Sequence, residues 1–233
     1  MHNIYYNEKT FKKGRIRMKK VIFGFMLLSI FILTNQSNAA NNIELNNLKG
    51  NISKKILSDS KEHEYIIVKP LSKIKFYGRS TLHKFHGLTN NIHGFIRVSP
   101  SHIENAKGEI YFKAKSLHTE KHKLNKNMWE NLEADKYPVV KYNLTSVKVL
   151  SSNLEEGRAR VLITGALDLH NVIRYITFPL DVRYVDGFFR FVGEYRLDMK
   201  DYKIKPHSFL FFIRVKKDVD IKIDLYAKLK EGK

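Results

Sequence analysis

The sequence predicts an all-β protein, an antiparallel β-barrel of about eight strands with one short helical insertion. Three observations point there. Four stretches within 158–229 alternate apolar and polar residues, most clearly Val219, Ile221, Ile223, Leu225, Ala227 and Leu229 with Asp220, Lys222, Asp224, Tyr226 and Lys228 between them. Successive side chains of a strand point to opposite faces, so each stretch is a strand with one oily and one wet side. Antiparallel sheets read this way, and parallel sheets buried on both faces do not. Second, the stretches are joined by short turn signals such as Asp186-Gly187, so consecutive strands pair as a meander. Third, only residues 119–134 carry a helical repeat, with Leu124, Met128 and Leu132 four apart and Trp129 beside them. About eight antiparallel strands close into a barrel just wide enough for one ligand, and closure removes exposed edges.

The elements follow in order. Residues 1–40 read as a leader and signal peptide that is removed: Met18-Lys19-Lys20 is basic, 21–33 is apolar, and Ser37-Asn38-Ala39 offers small residues for cleavage. The apolar run is 13 residues, short for a membrane span of roughly 20. Either Met1 or Met18 can be the start. Residues 41–62, rich in Asn, Lys and Ser, read as a linker or loosely ordered arm. The barrel domain occupies 63–230. Residues 65–68 and 74–78 are strands separated by Pro70, 92–98 alternates around Gly94, and 108–115 sets Ile110, Phe112 and Ala114 on one face. After the helical segment, Pro138 begins a return to strand at Val140, Tyr142 and Leu144. Then come Val161, Ile163, Gly165, Leu167 and Leu169 on one face, Ile176, Phe178, Leu180 and Val182 on the next, and Phe189, Phe191, Gly193, Tyr195 and Leu197 after the turn. Pro179 on a polar face predicts a bulge or a sheet edge.

Composition narrows the function classes. The chain has 233 residues and a net charge of +19. Without residues 1–40 it keeps 35 basic against 22 acidic residues, a net of +13. That charge is scattered rather than arginine-rich, and an exported protein seldom meets nucleic acid, so it favours solubility or transient contact with an anionic membrane surface. Lys73, Lys75 and Arg79 are the residues to meet such a surface. No cysteine is present, which excludes disulfides, thiolate zinc sites and a lipid-modified cysteine anchor. Charges on the polar faces, among them Arg158, Arg160, Arg190, Glu194, Arg196 and Lys222, argue against a lipid-facing membrane barrel.

Four segments in this order resemble the YceI family of lipocalin-like, polyisoprenoid-binding bacterial envelope proteins. They are Ser80-Thr81-Leu82-His83-Lys84-Phe85-His86-Gly87; Ser116-Leu117-His118-Thr119 running on to Met128-Trp129-Glu130-Asn131-Leu132 and Tyr137-Pro138; Ile163-Thr164-Gly165-Ala166-Leu167-Asp168-Leu169-His170-Asn171-Val172 with Ile176-Thr177-Phe178-Pro179-Leu180; and Asp201-Tyr202-Lys203-Ile204-Lys205-Pro206 with Val215 to Ile221. The resemblance covers about 63–229. It implies a lipocalin-like eight-stranded antiparallel barrel holding a long isoprenoid or similar amphiphile, export to the periplasm or beyond, and no catalysis. The family commonly carries Gly where Asn171 and Lys203 stand, which implies turn positions with left-handed backbone.

The candidate ligand-binding residues are therefore those at inward strand phases and on the insertion: Phe76, His83, Phe112, Leu117, Met128, Trp129, Tyr142, Leu167, Phe178, Phe191, Phe209 and Phe211. Gly78, Gly94, Gly165 and Gly193, at inward phases, are expected to leave room or permit bends. The expected cargo is a quinone, polyprenol or fatty amide, bound non-covalently for storage or transport, with no cofactor and with a homodimer left open. The competing expectation is an envelope enzyme acting on a small amphiphile in the same barrel. It requires a buried titratable pair, with His83 and a carboxylate as the place to look. His83 and His86 point to opposite faces of a strand, and no metalloprotease spacing is present. Neither a nucleophile elbow nor a phosphate-binding Gly-rich loop occurs in the sequence.

Overall fold

A computed structural model describes residues 60–153, 156–205, 208–209 and 213–231, with 43–44, 47–48 and 51. The chain divides into two compact units, 1–51 and 52–233. In the first, the described residues 43–44, 47–48 and 51 are helical and exposed, within the segment expected as a linker or arm. The leader and signal peptide lie outside the described residues.

The second unit is a barrel. Its strands are β1 (His63–Ile67), β2 (Lys73–Arg79), β3 (Lys84–Thr89), β4 (His93–Ser99), β5 (His102–Lys113), β6 (Val139–Asn153), β7 (Arg158–Leu169), β8 (Val172–Val185), β9 (Phe188–Asp198), β10 (Ser208–Phe209), β11 (Ile213–Arg214) and β12 (Asp218–Leu229), with one helix, α1 (His122–Asn131). β4 to β9 pair in sequence order, β12 pairs with β9, and β12 also pairs with β1, closing the ring. β10 and β11 form a separate ribbon.

The ring has eight positions because two of them are broken strands. β1 and β2 share one edge of β12, through Ile67↔Ala227 and Ile74↔Ile223. Between those pairs the first strand advances seven residues and β12 only four. The excess is a bulge around Pro70, where a missing N–H is tolerated. Ser72, 1% exposed, repairs the ladder: its hydroxyl accepts from the Tyr226 N–H at 2.9 Å and donates to the Tyr226 carbonyl at 3.3 Å. β3 and β4 run back along β2 and β1 in the same way. β3 is the strand that periodicity missed. Its sequence does not alternate clearly, because two of its inward positions are Gly87, which supplies no side chain, and Thr89, which is polar yet fully buried.

The helix is shorter than the expected 119–134. Thr119 stays outside it, its N–H and hydroxyl both donating to Asn125 Oδ1 at 2.6 and 2.8 Å. Glu133 at φ +43° ends it, five residues before Pro138. Pro179 lies where the sequence predicted an edge: β8 pairs with β9 only over 180–185, and Pro179 falls just before that stretch. The short 3-10 helix Met199–Tyr202 packs there, its Asp201 carbonyl accepting from Arg174 Nε at 3.2 Å.

The turn positions flagged by the family resemblance are left-handed, Asn171 at φ +56° and Lys203 at φ +57°. Asn tolerates this region and Lys does so at a cost. Lys203→Gly is expected to raise stability by about 1 kcal/mol in denaturant titration.

The inward side chains form two clusters along the barrel. One contains Tyr65, Ile67, Ile92, Val161, Ile163, Phe178, Phe189 and Ala227. The other contains Phe112, Ala114, Ala134, Val140, Leu169, Leu197, Tyr202 and Ile204, with Trp129 and Leu132 against it. Ion pairs stitch the outer face. The best formed is the fork in which Arg190 Nε and a terminal nitrogen donate to the two Asp224 oxygens at 2.8 and 3.0 Å, with Lys73 at 3.7 Å. Arg190 holds the Asp224 carboxyl below the usual carboxylate range. Its folded pKa thus lies below the unfolded value near ~3.9. The stabilisation is complete above that value and is lost as pH falls through the folded pKa. Asp224→Asn is expected to cost about 1 kcal/mol at neutral pH, and the gap between variant and wild-type melting curves should close on acidification.

Candidate ligand-binding site

The barrel is not filled by its own side chains. A cavity of about 740 Å³ runs through it, within the ~300–1,000 Å³ typical of sites that enclose a drug-sized ligand. Strand alternation builds most of the wall. Val161, Ile163, Leu167 and Leu169 project inward from β7, Ile176, Phe178, Leu180 and Val182 from β8, and Val219, Ile221, Ile223 and Leu225 from β12. α1 covers one end with Leu124 and Met128, joined by Leu132 just past its last residue.

Of the residues singled out from the sequence, Phe76, His83, Phe112, Leu117, Met128, Tyr142, Leu167, Phe178 and Phe191 line this cavity. Trp129 does not. It turns toward the second cluster and donates its indole N–H to the Leu117 carbonyl at 2.8 Å, which ties α1 to the short 3-10 turn that follows β5. Periodicity could not separate Trp129 from Met128, because adjacent helical residues differ by only 100° in direction. Phe211 and the side chain of Phe209 lie outside the described residues.

The glycines at inward phases do not leave vacant space. A Cβ at Gly78 would meet the Phe85 ring at 2.3 Å, at Gly165 the Tyr142 ring at 2.4 Å, and at Gly193 the Leu180 side chain at 2.4 Å. The missing side chains are replaced by those of neighbouring strands, so the room in the barrel comes from its girth. Gly94 serves its strand backbone instead, at φ +144°.

The wall's polar groups are few and unevenly placed. Deep in the barrel, burial pushes the Tyr142 hydroxyl well above its ordinary pKa; it lines the cavity and has no hydrogen-bond partner among the described groups. Ser80, His83, Lys84, Thr119, Lys121, Lys123, Asn127 and Asn131 gather at the α1 end. Ser80 and His83 close the β2–β3 turn, where the Ser80 hydroxyl accepts from the His83 N–H at 2.9 Å and donates to the His83 carbonyl at 3.0 Å. The sequence reading missed Lys123, Asn127 and Asn131. Their spacing of four was legible, and the parallel apolar row Leu124, Met128 and Leu132 drew the attention.

Among the described residues no aspartate or glutamate lines the wall, and none lies against His83. Among the described residues no cluster of His, Asp or Glu is arranged to hold a metal ion.

The sequence profile of the YceI-like domain matches residues 65–227. The chain belongs to the YceI-like family. None of the curated proteins compared with it matches by sequence. Its YceI-like barrel is similar to the crystal structure of BcnA from Burkholderia cenocepacia, with a TM-score of 0.61 at 14% identity, covering 70% of this chain and 99% of that one. It is also similar to a polyisoprenoid binding domain from Saccharophagus degradans, implicated in plant cell wall breakdown. There the TM-score is 0.55 at 14% identity, covering 73% of this chain and 100% of that one. A mutant YceI protein of Campylobacter jejuni gives 0.50 at 16% identity, over 63% of this chain and 85% of that one. At such identities the likeness is one of fold: an eight-stranded antiparallel barrel with one short helix.

Proposed function

We propose that this YceI-like barrel is a carrier, not an enzyme, which holds the chain of an isoprenoid or comparable lipid outside the cytoplasm for storage or transport. The observation that carries this is the apolar cavity of about 740 Å³ inside the barrel. Burying one CH₂ is worth roughly 0.8 kcal/mol, so each five-carbon isoprene unit gains about 3–4 kcal/mol before ordering costs. A few units give useful affinity with no hydrogen bond, which fits a wall whose polar groups are those gathered at the α1 end and the hydroxyls of Tyr65, Tyr142 and Tyr195. The structural likeness to a domain named for polyisoprenoid binding supports the same reading. So does the signal-peptide pattern of residues 1–40, since a lipid crossing an aqueous envelope compartment needs such a shield.

The test is to purify the protein from its host without detergent and extract it with organic solvent for mass spectrometry. A stoichiometric isoprenoid or other lipid is expected. A protein that carries none, and that takes up no isoprenoid offered in excess, would sink the proposal.

A further inference from the structure

We propose that the α1 end of the cavity is a head-group site for an anion, so that the cargo is an amphiphile with a phosphate or carboxylate on its apolar chain. This rests on the lipid-carrier reading and adds the chemistry of the head. Three observations carry it. First, among the described residues the charged side chains of the wall are Lys84, Lys121 and Lys123, with His83 also in the wall and no carboxylate among its lining. Among the described residues none of the three lysines has an ion-pair partner. The acidic neighbour in sequence, Glu120, lies outside the wall, 4.0 Å from His86 Nε2.

Second, the start of α1 is electropositive in its own right. Its N-cap is Lys121 with no side-chain cap, and its first turn holds no acidic residue. Cations at this end oppose the helix dipole and cost the isolated helix stability. An anion seated there would reverse that cost by accepting from free N–H groups and facing the two lysines.

Third, Lys123, Asn127 and Asn131 succeed one another at intervals of four on α1, and all three line the cavity. Asn127 Nδ2 and Asn131 Oδ1 are buried with no partner among the described groups. Buried amides are ordinarily satisfied, and either amide can turn its NH₂ toward an oxygen. A head anchored by the lysines would take a hydrogen bond from Asn127 one turn farther along the helix. Its chain would then continue past Leu124, Met128 and Leu132 into the apolar barrel.

The test uses three probes with one tail: farnesyl phosphate, farnesoic acid and farnesol. Isothermal titration calorimetry reads binding to the purified full chain, because Trp129, the only tryptophan, does not line the cavity. At least one anion is expected to bind on the order of tenfold tighter than the alcohol at low salt, with the advantage shrinking as salt is added. The tighter of the two identifies the head. The triple variant Lys84→Gln, Lys121→Gln, Lys123→Gln should lose that advantage and bind farnesol as before; all three side chains are exposed, so the fold should survive. Equal affinity for the three probes, or an anion preference that persists in the triple variant, overturns the head-group site. Farnesol binding in that case leaves the carrier reading intact, whereas failure of all three probes to bind removes both.

Discussion

Leu167→Trp should empty the barrel of lipid without unfolding it. Leu167 projects inward near the C-terminal end of β7, half-buried, where it packs against both hydrophobic clusters and lines the cavity between them. An indole there occupies space that a ligand chain would otherwise fill. Excluding about one isoprene unit removes roughly 3–4 kcal/mol of burial, which is a loss in affinity of more than about a hundredfold. Because the added volume enters an existing cavity, the overpacking cost of a filled core is avoided, and the melting temperature should move by only a few degrees. Leu162→Trp is the matched control, since Leu162 is on the same strand but on the outer face and is not part of the wall. Lipid co-purifying with Leu167→Trp at wild-type stoichiometry would show that cargo sits elsewhere.

Gly94→Ala is the most destabilising small substitution expected in the barrel. Gly94 has φ +144°, and an added Cβ would stand 2.0 Å from the Glu109 carbonyl oxygen and 2.9 Å from Ile110 Cα. Both are backbone atoms of β5, which pairs with β4 through Gly94↔Ile110, so neither can give way without opening the ladder. Strain and clash together should cost about 3–4 kcal/mol, read as a lower denaturant midpoint. Gly187→Ala separates the two causes. Gly187 also has positive φ, at +86°, but nothing lies within 4 Å of its missing Cβ. Only strain remains there, about 1–2 kcal/mol. Equal losses at the two positions would mean that the β4–β5 contact contributes nothing.

The legible parts of this chain are those governed by local rules. Alternation along β7, β8, β9 and β12 identified the inward residues, and Asp186-Gly187 placed a turn whose two residues are left-handed at φ +50° and +86°. Pro179 marked its edge. The sequence failed where a residue's role depends on a partner distant in the chain. Ser72 sits in a short polar-looking loop, yet it is almost fully buried because Tyr226, 154 residues away, needs its hydroxyl. Gly78, Gly165 and Gly193 suggested spare room, and neighbouring strands had already filled it. Trp129 suggested a ligand contact, and a carbonyl at Leu117 turned it away.

The sequence by itself determined that the protein is an antiparallel barrel with one oily face, because the two-residue period of a strand is written residue by residue. Only the tertiary structure decided that the oily face encloses a cavity rather than a filled core. The girth of the ring follows from how β1 and β2 break and share the edge of β12, and no single segment encodes it. The same holds for the uneven mouth. Lys84 and the Lys123, Asn127 and Asn131 row lie far apart along the chain, and closure of the ring with α1 across its end is what brings them to one cavity.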